Sequence, residues 1–347
     1  MSVLAGFPSR GLPSGTPVEE IGARPGAPVP EELIDRQTPA ILRGFVEDWP
    51  VVKAGRDGAD ALRDYLLRFE NGAVVPVSVG SSGLKGRLFY REDFSGPNAD
   101  RGNTKIGEAL RRIALHGQET DPPLIYLASA TIDQVLPGFR RENDVDFAGY
   151  EPLASIWIGT RTRIAAHNDL PLNLACVAAG RRTFTLFPPD QLPNLYIGPI
   201  ENTPAGRPIS LVDFADPDLE RFPRFAEAMK HAQVAELEPG DALFIPSMWW
   251  HHVEATEGFN VLVNYWWRTV PRFLGTPQDV LNHAMLTIRD LPQAEKDVWR
   301  GIFDHYVFGN SDETAAHIPE HARGMLAPID EASARRIRAF LLNQLNR

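Results

Sequence analysis

The chain has 347 residues, 43% of them hydrophobic, and a formal net charge of −10. That size allows one large β-rich domain with helical extensions. The acidic balance argues against nucleic acid, whose phosphates require clustered Lys and Arg, and leaves room for a basic peptide or a cationic small molecule.

In chain order, residues 1–30 are rich in Gly, Pro and Ser and read as an extended arm. "PEELIDRQ" then suggests a short helix and "PAILRGF" a strand. "DGADALRDYLLRFE" places Ala59, Leu62, Leu66 and Phe69 at helical spacing. "NGAVVPVSVG" reads as a turn and strand, and "TKIGEALRRIALHG" as an amphipathic helix with Gly117 as its C-cap. From about residue 124 the period shortens. "PLIYLASAT", "ASIWIGT", "TRIAAHND", "LNLACVA", "RTFTLFPP", "AQVAELEPGDALFIP" and "NVLVNYWW" are β-branched or aromatic runs separated by turn signals, which suggests a sandwich or barrel. A Pro-rich insertion over 188–233 interrupts them.

After Trp267 the pattern is helical again. Thr276 and Pro277 read as an N-cap and first helical residue before a stripe of Leu281, Ala284, Met285 and Ile288. Val298, Ile302, Phe303 and Tyr306 form a second stripe that stops at Gly309, and Asp330 to Leu345 carries a third. The single cysteine, Cys176, excludes an intrachain disulfide and a cysteine-based zinc site; its apolar run makes it a core residue. No run approaches the ~18 apolar residues of a membrane span and no leader pattern opens the chain, so the expectation is a cytoplasmic protein with no membrane partner.

Most of the nine histidines have no partner in sequence; His317 and His321 are four apart, but Pro319 between them makes a helical metal pair improbable. "AAHNDLP" differs. His167 and Asp169 are two apart at a strand end and leave the same face. A third corner can come from "GDALFIPSMWWHHVE", where strand alternation sends His251 and His252 to opposite faces. Two imidazoles and one carboxylate hold a metal by one face and leave positions open, an arrangement suited to non-haem Fe(II).

Three segments, "HNDLPLNLACVAAGRRTFTLFPPDQLPNLY", "VDFADPDLERFPRF" and "PGDALFIPSMWWHHVEATEGFNVLVNYWW", occur in an order that resembles the cupin-like JmjC family of Fe(II)- and 2-oxoglutarate-dependent oxygenases, in particular its asparaginyl-hydroxylase branch acting on hypoxia-inducible factor. The resemblance covers roughly residues 40–270. It implies a mainly β fold with flanking helices, a double-stranded β-helix (jelly roll), and makes the first histidine of "WWHH", His251, the third metal ligand beside His167 and Asp169. Trp249, His251 and Val253 then face inward, Trp250 and His252 outward. It implies that Tyr126, Asn173, Arg182 and Asn264 hold the 2-oxoglutarate co-substrate. Two positions depart from the relative: Arg182 stands where it has lysine and Ile164 where it has threonine. Arg can hold a carboxylate bidentately, and of the chain's 35 Lys and Arg residues only five are lysine.

The implied domains are the N-terminal arm over 1–30, a JmjC/cupin-like catalytic domain over 31–270 with its β-helix core over about 124–270, and a helical region over 271–347 that joins two chains as a homodimer. The implied reaction consumes O2 and 2-oxoglutarate, releases succinate and CO2, and hydroxylates a peptide, protein or small-molecule substrate, with no nucleic-acid partner. A metal cupin enzyme that does not use 2-oxoglutarate, and a binding protein that keeps the fold without catalysis, remain as alternatives. "RLFYREDFSGPNADRG" and the 188–233 insertion are expected to frame the entrance.

Overall fold

A computed structural model describes residues 12–201, 203–204 and 206–346. Residues 1–11 of the expected arm lie outside the described residues. The next stretch is extended and adds β1 (Thr16–Pro17) and β2 (Glu20–Ile21), with Val18 buried between them. There follow β3 (Ala40–Leu42), β4 (Val74–Gly80), β5 (Arg87–Leu88), β6 (Asp100–Lys105), β7 (Leu124–Thr131), β8 (Leu153–Gly159), β9 (Thr162–Asn168), β10 (Leu172–Ala179), β11 (Arg182–Phe187), β12 (Gln233–Leu237), β13 (Ala242–Ile245), β14 (Trp250–Ala255) and β15 (Asn260–Trp267).

They make two mixed sheets, β1-β12-β11-β14-β9-β5 and β2-β3-β13-β10-β15-β8-β7-β4-β6. From β8 onward nearly every connection crosses from one sheet to the other, only β11 and β12 being sequential neighbours in one sheet. This is a jelly roll of the cupin type, and it leaves an interior between the sheets.

The burial of β10 shows how sequence sets the layers. Its run "LNLACVAA" is apolar throughout because both faces are covered. Ala175 and Val177 face the interior, together with Phe184, Leu186, Val253 and Leu262. Leu174, Cys176 and Ala178 face the opposite way and pack under the helices α1 (Pro50–Asp57), α2 (Ala59–Leu67) and α3 (Ile106–Leu115). Cys176 is a fully buried thiol, raised far above its ordinary range by desolvation. Gly180, at φ +72°, turns the chain from β10 into β11, where an added Cβ would lie 2.1 Å from the Asn260 amide oxygen.

Gly117 departs from its expected role. The C-cap of α3 is His116, and Gly117 does not adopt the left-handed conformation. Its lack of a side chain serves close approach instead, since a Cβ there would lie 2.6 Å from that of Ala59.

A short helix α4 (Ile132–Val135) follows β7; the 188–233 insertion contains α5 (Phe225–Lys230) and covers the outer face of the smaller sheet. Phe214, Phe222, Phe225 and Met229 pack there on Phe187 and Trp250.

Residues 269–347 form a second unit. It contains α6 (Pro277–Thr287), α7 (Gln293–Phe303) and α8 (Glu331–Leu345). Thr276 caps α6 by accepting from the Gln278 N–H, as its sequence predicts. Asp330 and Ser333 cap α8 reciprocally, at 2.7 and 2.8 Å. Val280, Leu281, Val298, Phe340 and Leu341 remain exposed. Among the described residues no helix is long and apolar enough to cross a membrane.

Candidate metal centre and co-substrate cavity

β9 and β14 are antiparallel neighbours, with His167 directly opposite His251. Their ring centroids are 4.3 Å apart. Asp169 follows the end of β9; one of its carboxylate oxygens is 3.7 Å from His251 Nε2. One ligand atom from each of the three residues lies within 4.8 Å of the others. The end of β9 is clamped to the turn before β14. Met248 N–H donates to the Asp169 carbonyl at 2.8 Å, and the Ser247 hydroxyl donates to the Leu170 carbonyl at 2.6 Å. Met248 sits at φ +66°, a conformation this doubly tied turn imposes.

The donor set fits a divalent cation. His167 Nδ1 is 3.0 Å from the Ala165 carbonyl, and His251 Nδ1 is 3.1 Å from the Trp249 carbonyl. Carbonyls only accept, so each Nδ1 carries the proton and each Nε2 offers its lone pair. Burial, then the adjacent His167, pushes the His251 imidazole well below its ordinary pKa, which keeps it neutral and ready to ligate. His252 points the other way, stacked on Phe214 at 4.5 Å and 17°.

The triad lies in a cavity of about 440 Å3 between the sheets. Arg182, Tyr126, Asn173 and Asn264 all line it. Arg182 is 3% exposed, and among the described residues no carboxylate pairs with it; its Nε has no partner. Burial lowers its pKa to about 10, against the opposing influence of Tyr126, so it remains a cation at neutral pH. The Arg181 beside it points outward to Glu238 at 3.1 Å. Tyr126 is buried and its phenol is raised far above the ordinary value by desolvation, so it is a neutral donor. Asn264 accepts from Trp157 Nε1 at 2.7 Å and donates to the Asn173 amide oxygen at 3.2 Å. The Asn173 NH2 takes no part in this pair.

Ile164 also lines the cavity, although it is three residues from His167. Strict alternation would put the two on opposite faces. The β9–β14 register shifts by one residue between these pairs, with Ala165 and Ala166 together opposite His252. That bulge returns both side chains to the interior. Trp157, which holds Asn264, and Trp266, which lines the cavity, did not emerge from the sequence. For Trp266 the signal was present: Leu262, Asn264 and Trp266 alternate on one face of β15. The expected entrance segments contribute Leu88 and Arg101 from one side and Pro204, Arg207 and Ile209 from the other.

Residues 27–273 match the family model described as a cupin-like domain. The chain is 38% identical over 259 residues to HSPB1-associated protein 1 of Homo sapiens, covering 68% of this chain and 49% of that protein. It is 35% identical over 159 residues to lysine-specific demethylase JMJ31 of Arabidopsis thaliana, covering 43% of this chain and 28% of that one. It is 26% identical over 237 residues to Jumonji C domain-containing protein 5 of Drosophila melanogaster, covering 66% and 54%. The chain thus spans about half the length, or less, of these relatives. With a jelly roll, a facial His-Asp-His cluster and a family match over most of its length, the chain belongs to the cupin-like JmjC family of 2-oxoglutarate oxygenases.

Proposed function

We propose that the protein is an Fe(II)- and 2-oxoglutarate-dependent hydroxylase. The observation that carries this reading is Arg182, a buried cation that lines the same cavity as the triad and that no carboxylate pairs with among the described residues. An isolated buried charge is costly unless a ligand pairs with it. Arg182 lies four residues along β11 from Leu186, the residue paired with His251. Their Cα atoms are therefore about 13 Å apart along the strand, a gap that an arginine side chain and a five-carbon diacid together span.

In this reading His167, Asp169 and His251 would hold Fe(II). Bound together, iron and 2-oxoglutarate supply the oxidising chemistry, with succinate and CO2 as co-products and a hydroxylated peptide, protein or small molecule as product. Arg182 pairs with the distal carboxylate of 2-oxoglutarate, and the Tyr126 phenol donates to it. The Asn173 NH2, fixed through Asn264 and Trp157, orients the metal-proximal end. Phe184, Leu186, Val253 and Leu262 keep the interior dry. Ile164 adds an apolar wall and no hydrogen bond, so Arg182 and Tyr126 carry the anchoring. The second unit, with its exposed apolar helices, supports a homodimer.

Calorimetry of 2-oxoglutarate into Mn(II)-loaded protein tests the reading, followed by succinate release with Fe(II) and O2. Metal-dependent binding is expected; no binding at millimolar 2-oxoglutarate would refute it.

A further inference from the structure

The charged lining of the cavity is asymmetric. Among the described lining residues the only carboxylate is Asp169, which belongs to the triad, while there are three guanidinium groups, Arg101, Arg182 and Arg207. Arg182 is at the deep end. The other two reach the cavity from the expected entrance segments, Arg207 beside the metal ligand Asp169. Arg207 Nε donates to the Asn168 carbonyl at 3.0 Å and its Nη2 to the Asn168 amide oxygen at 3.3 Å, one residue from Asp169. Arg101, on the edge strand β6, donates through Nη2 to the Pro204 carbonyl. These contacts hold the two side chains in place, yet all their acceptors are neutral oxygens. Among the described residues neither arginine pairs with a carboxylate, so both charges stay uncompensated, with N–H groups left over.

This runs against the chain as a whole. A net charge of −10 favours cations at long range, but over a Debye length of about 8 Å the field at the mouth is set by the local arginines. The lining also includes the apolar Pro76, Val77, Ile209 and the Trp266 indole, which packs edge-on against Trp157 at 5.8 Å.

We propose that Arg101 and Arg207 select a substrate bearing a carboxylate on an apolar stem, the carboxylate held at the mouth while the stem carries the reacting C–H toward the metal end. The inference rests on reading the cavity as a substrate site and names its substrate class. The carboxylate can belong to an Asp or Glu side chain of a peptide or to a small free acid, and the test separates these sources.

The experiment measures fluorescence anisotropy of labelled peptide pools that differ only in fixed flanking residues, Asp/Glu, Asn/Gln or Lys/Arg. The Mn(II)-loaded protein is used with and without 2-oxoglutarate. Small N-acyl amino acids and their amides compete, as does a single-stranded RNA. The acidic pool should bind at least about tenfold more tightly than the amide pool, one charge-assisted hydrogen bond being worth that much. Direct calorimetric binding of the free acids but not of their amides, with no pool bound, assigns the small-acid source and supports the proposal equally; binding of neither pools nor acids overturns it. Arg101→Gln with Arg207→Gln should abolish the preference, because glutamine can still donate to the Pro204 and Asn168 oxygens but carries no charge. A preference for the amide or basic pool, tighter binding of RNA, or an acidic preference that survives in the double variant overturns the proposal. The ligand-side comparison needs no variant and stands if the double variant fails to fold. Binding here is read without turnover, so an acidic preference together with absent 2-oxoglutarate binding would count against the oxygenase reading alone.

Discussion

His167 and His251 face each other across adjacent strands, ring centroids 4.3 Å apart, each with Nδ1 tied to the carbonyl two residues before it. The i−2 carbonyl fixes the tautomer, and the strand pairing fixes the separation. Replacement of His251 with Ala should therefore abolish specific binding of Mn(II) or Fe(II), by at least about 100-fold. His252→Phe should leave metal affinity within a fewfold, because that ring lies on the other face against Phe214. Metal titration followed by calorimetry checks both, and the reverse ranking would overturn the assignment.

Arg182→Ala should weaken 2-oxoglutarate by about 2–5 kcal/mol while leaving the ligand-free fold as stable or more so. A buried charge without a carboxylate partner does not stabilise the empty protein, and removing it relieves desolvation. Calorimetry and urea unfolding read the two effects separately. Unchanged 2-oxoglutarate affinity would rule out the anchoring role.

These two sites differ in how far the sequence exposed them. The short β-branched runs and their turn signals marked a sandwich or barrel, the family resemblance narrowed it to a jelly roll, and the two-residue spacing of His167 and Asp169 marked one face of a strand. Alternation puts Arg182 on one face of β11 with Phe184 and Leu186, and the family resemblance made that face the inner one. The position of Ile164 did not follow, because the Ala165–Ala166 bulge breaks the two-residue period and alanines give no warning of it. Gly117 misled for a related reason: a glycine at a helix end reads as a left-handed cap, and here it is small because Ala59 lies against it. Arg101 and Arg207 are brought to one cavity by an edge strand and an irregular insertion, and neither has a period to read.

His252 carries a pH dependence. Burial, reinforced by the nearby Arg163 and Arg87 charges, lowers its pKa to about 3. The unfolded chain takes up this proton near pH 6.5 and the folded chain does not. The stabilising contribution is thus complete above pH 6.5 and falls as the pH drops toward 3. At pH 5 this group alone should cost about 2 kcal/mol. In His252→Phe the ring stack on Phe214 is kept and the unpartnered Nδ1 disappears. Urea unfolding of the metal-free protein should show the variant at least as stable as wild type at pH 7 and about 2 kcal/mol more stable at pH 5. An equal acid slope in both proteins would contradict this.

The last helix predicts an oligomer. In α8 the Asp330–Ser333 capping box secures the first turn, so the helix does not depend on a neighbour to start. Yet Phe340, Leu341, Leu342 and Leu345 are 51, 47, 61 and 56% exposed. Such a stripe on a surface helix is ordinarily covered. In a twofold interface each of these side chains is buried twice, once from each chain. At about 1.5–3 kcal/mol per fully buried large apolar side chain, and with about half of each already covered, the eight contribute about 6–12 kcal/mol, of the same order as the roughly 4–15 kcal/mol that association costs. The intact protein should therefore be a dimer at micromolar concentration by light scattering. Leu341→Lys brings two like charges into the interface and, being near the helix C-terminus, suits the dipole of the isolated helix. It should yield a folded monomer with unchanged helical content. A monomeric wild type, or a variant that remains dimeric, would place the covering of this stripe within one chain or the dimer contact on another surface.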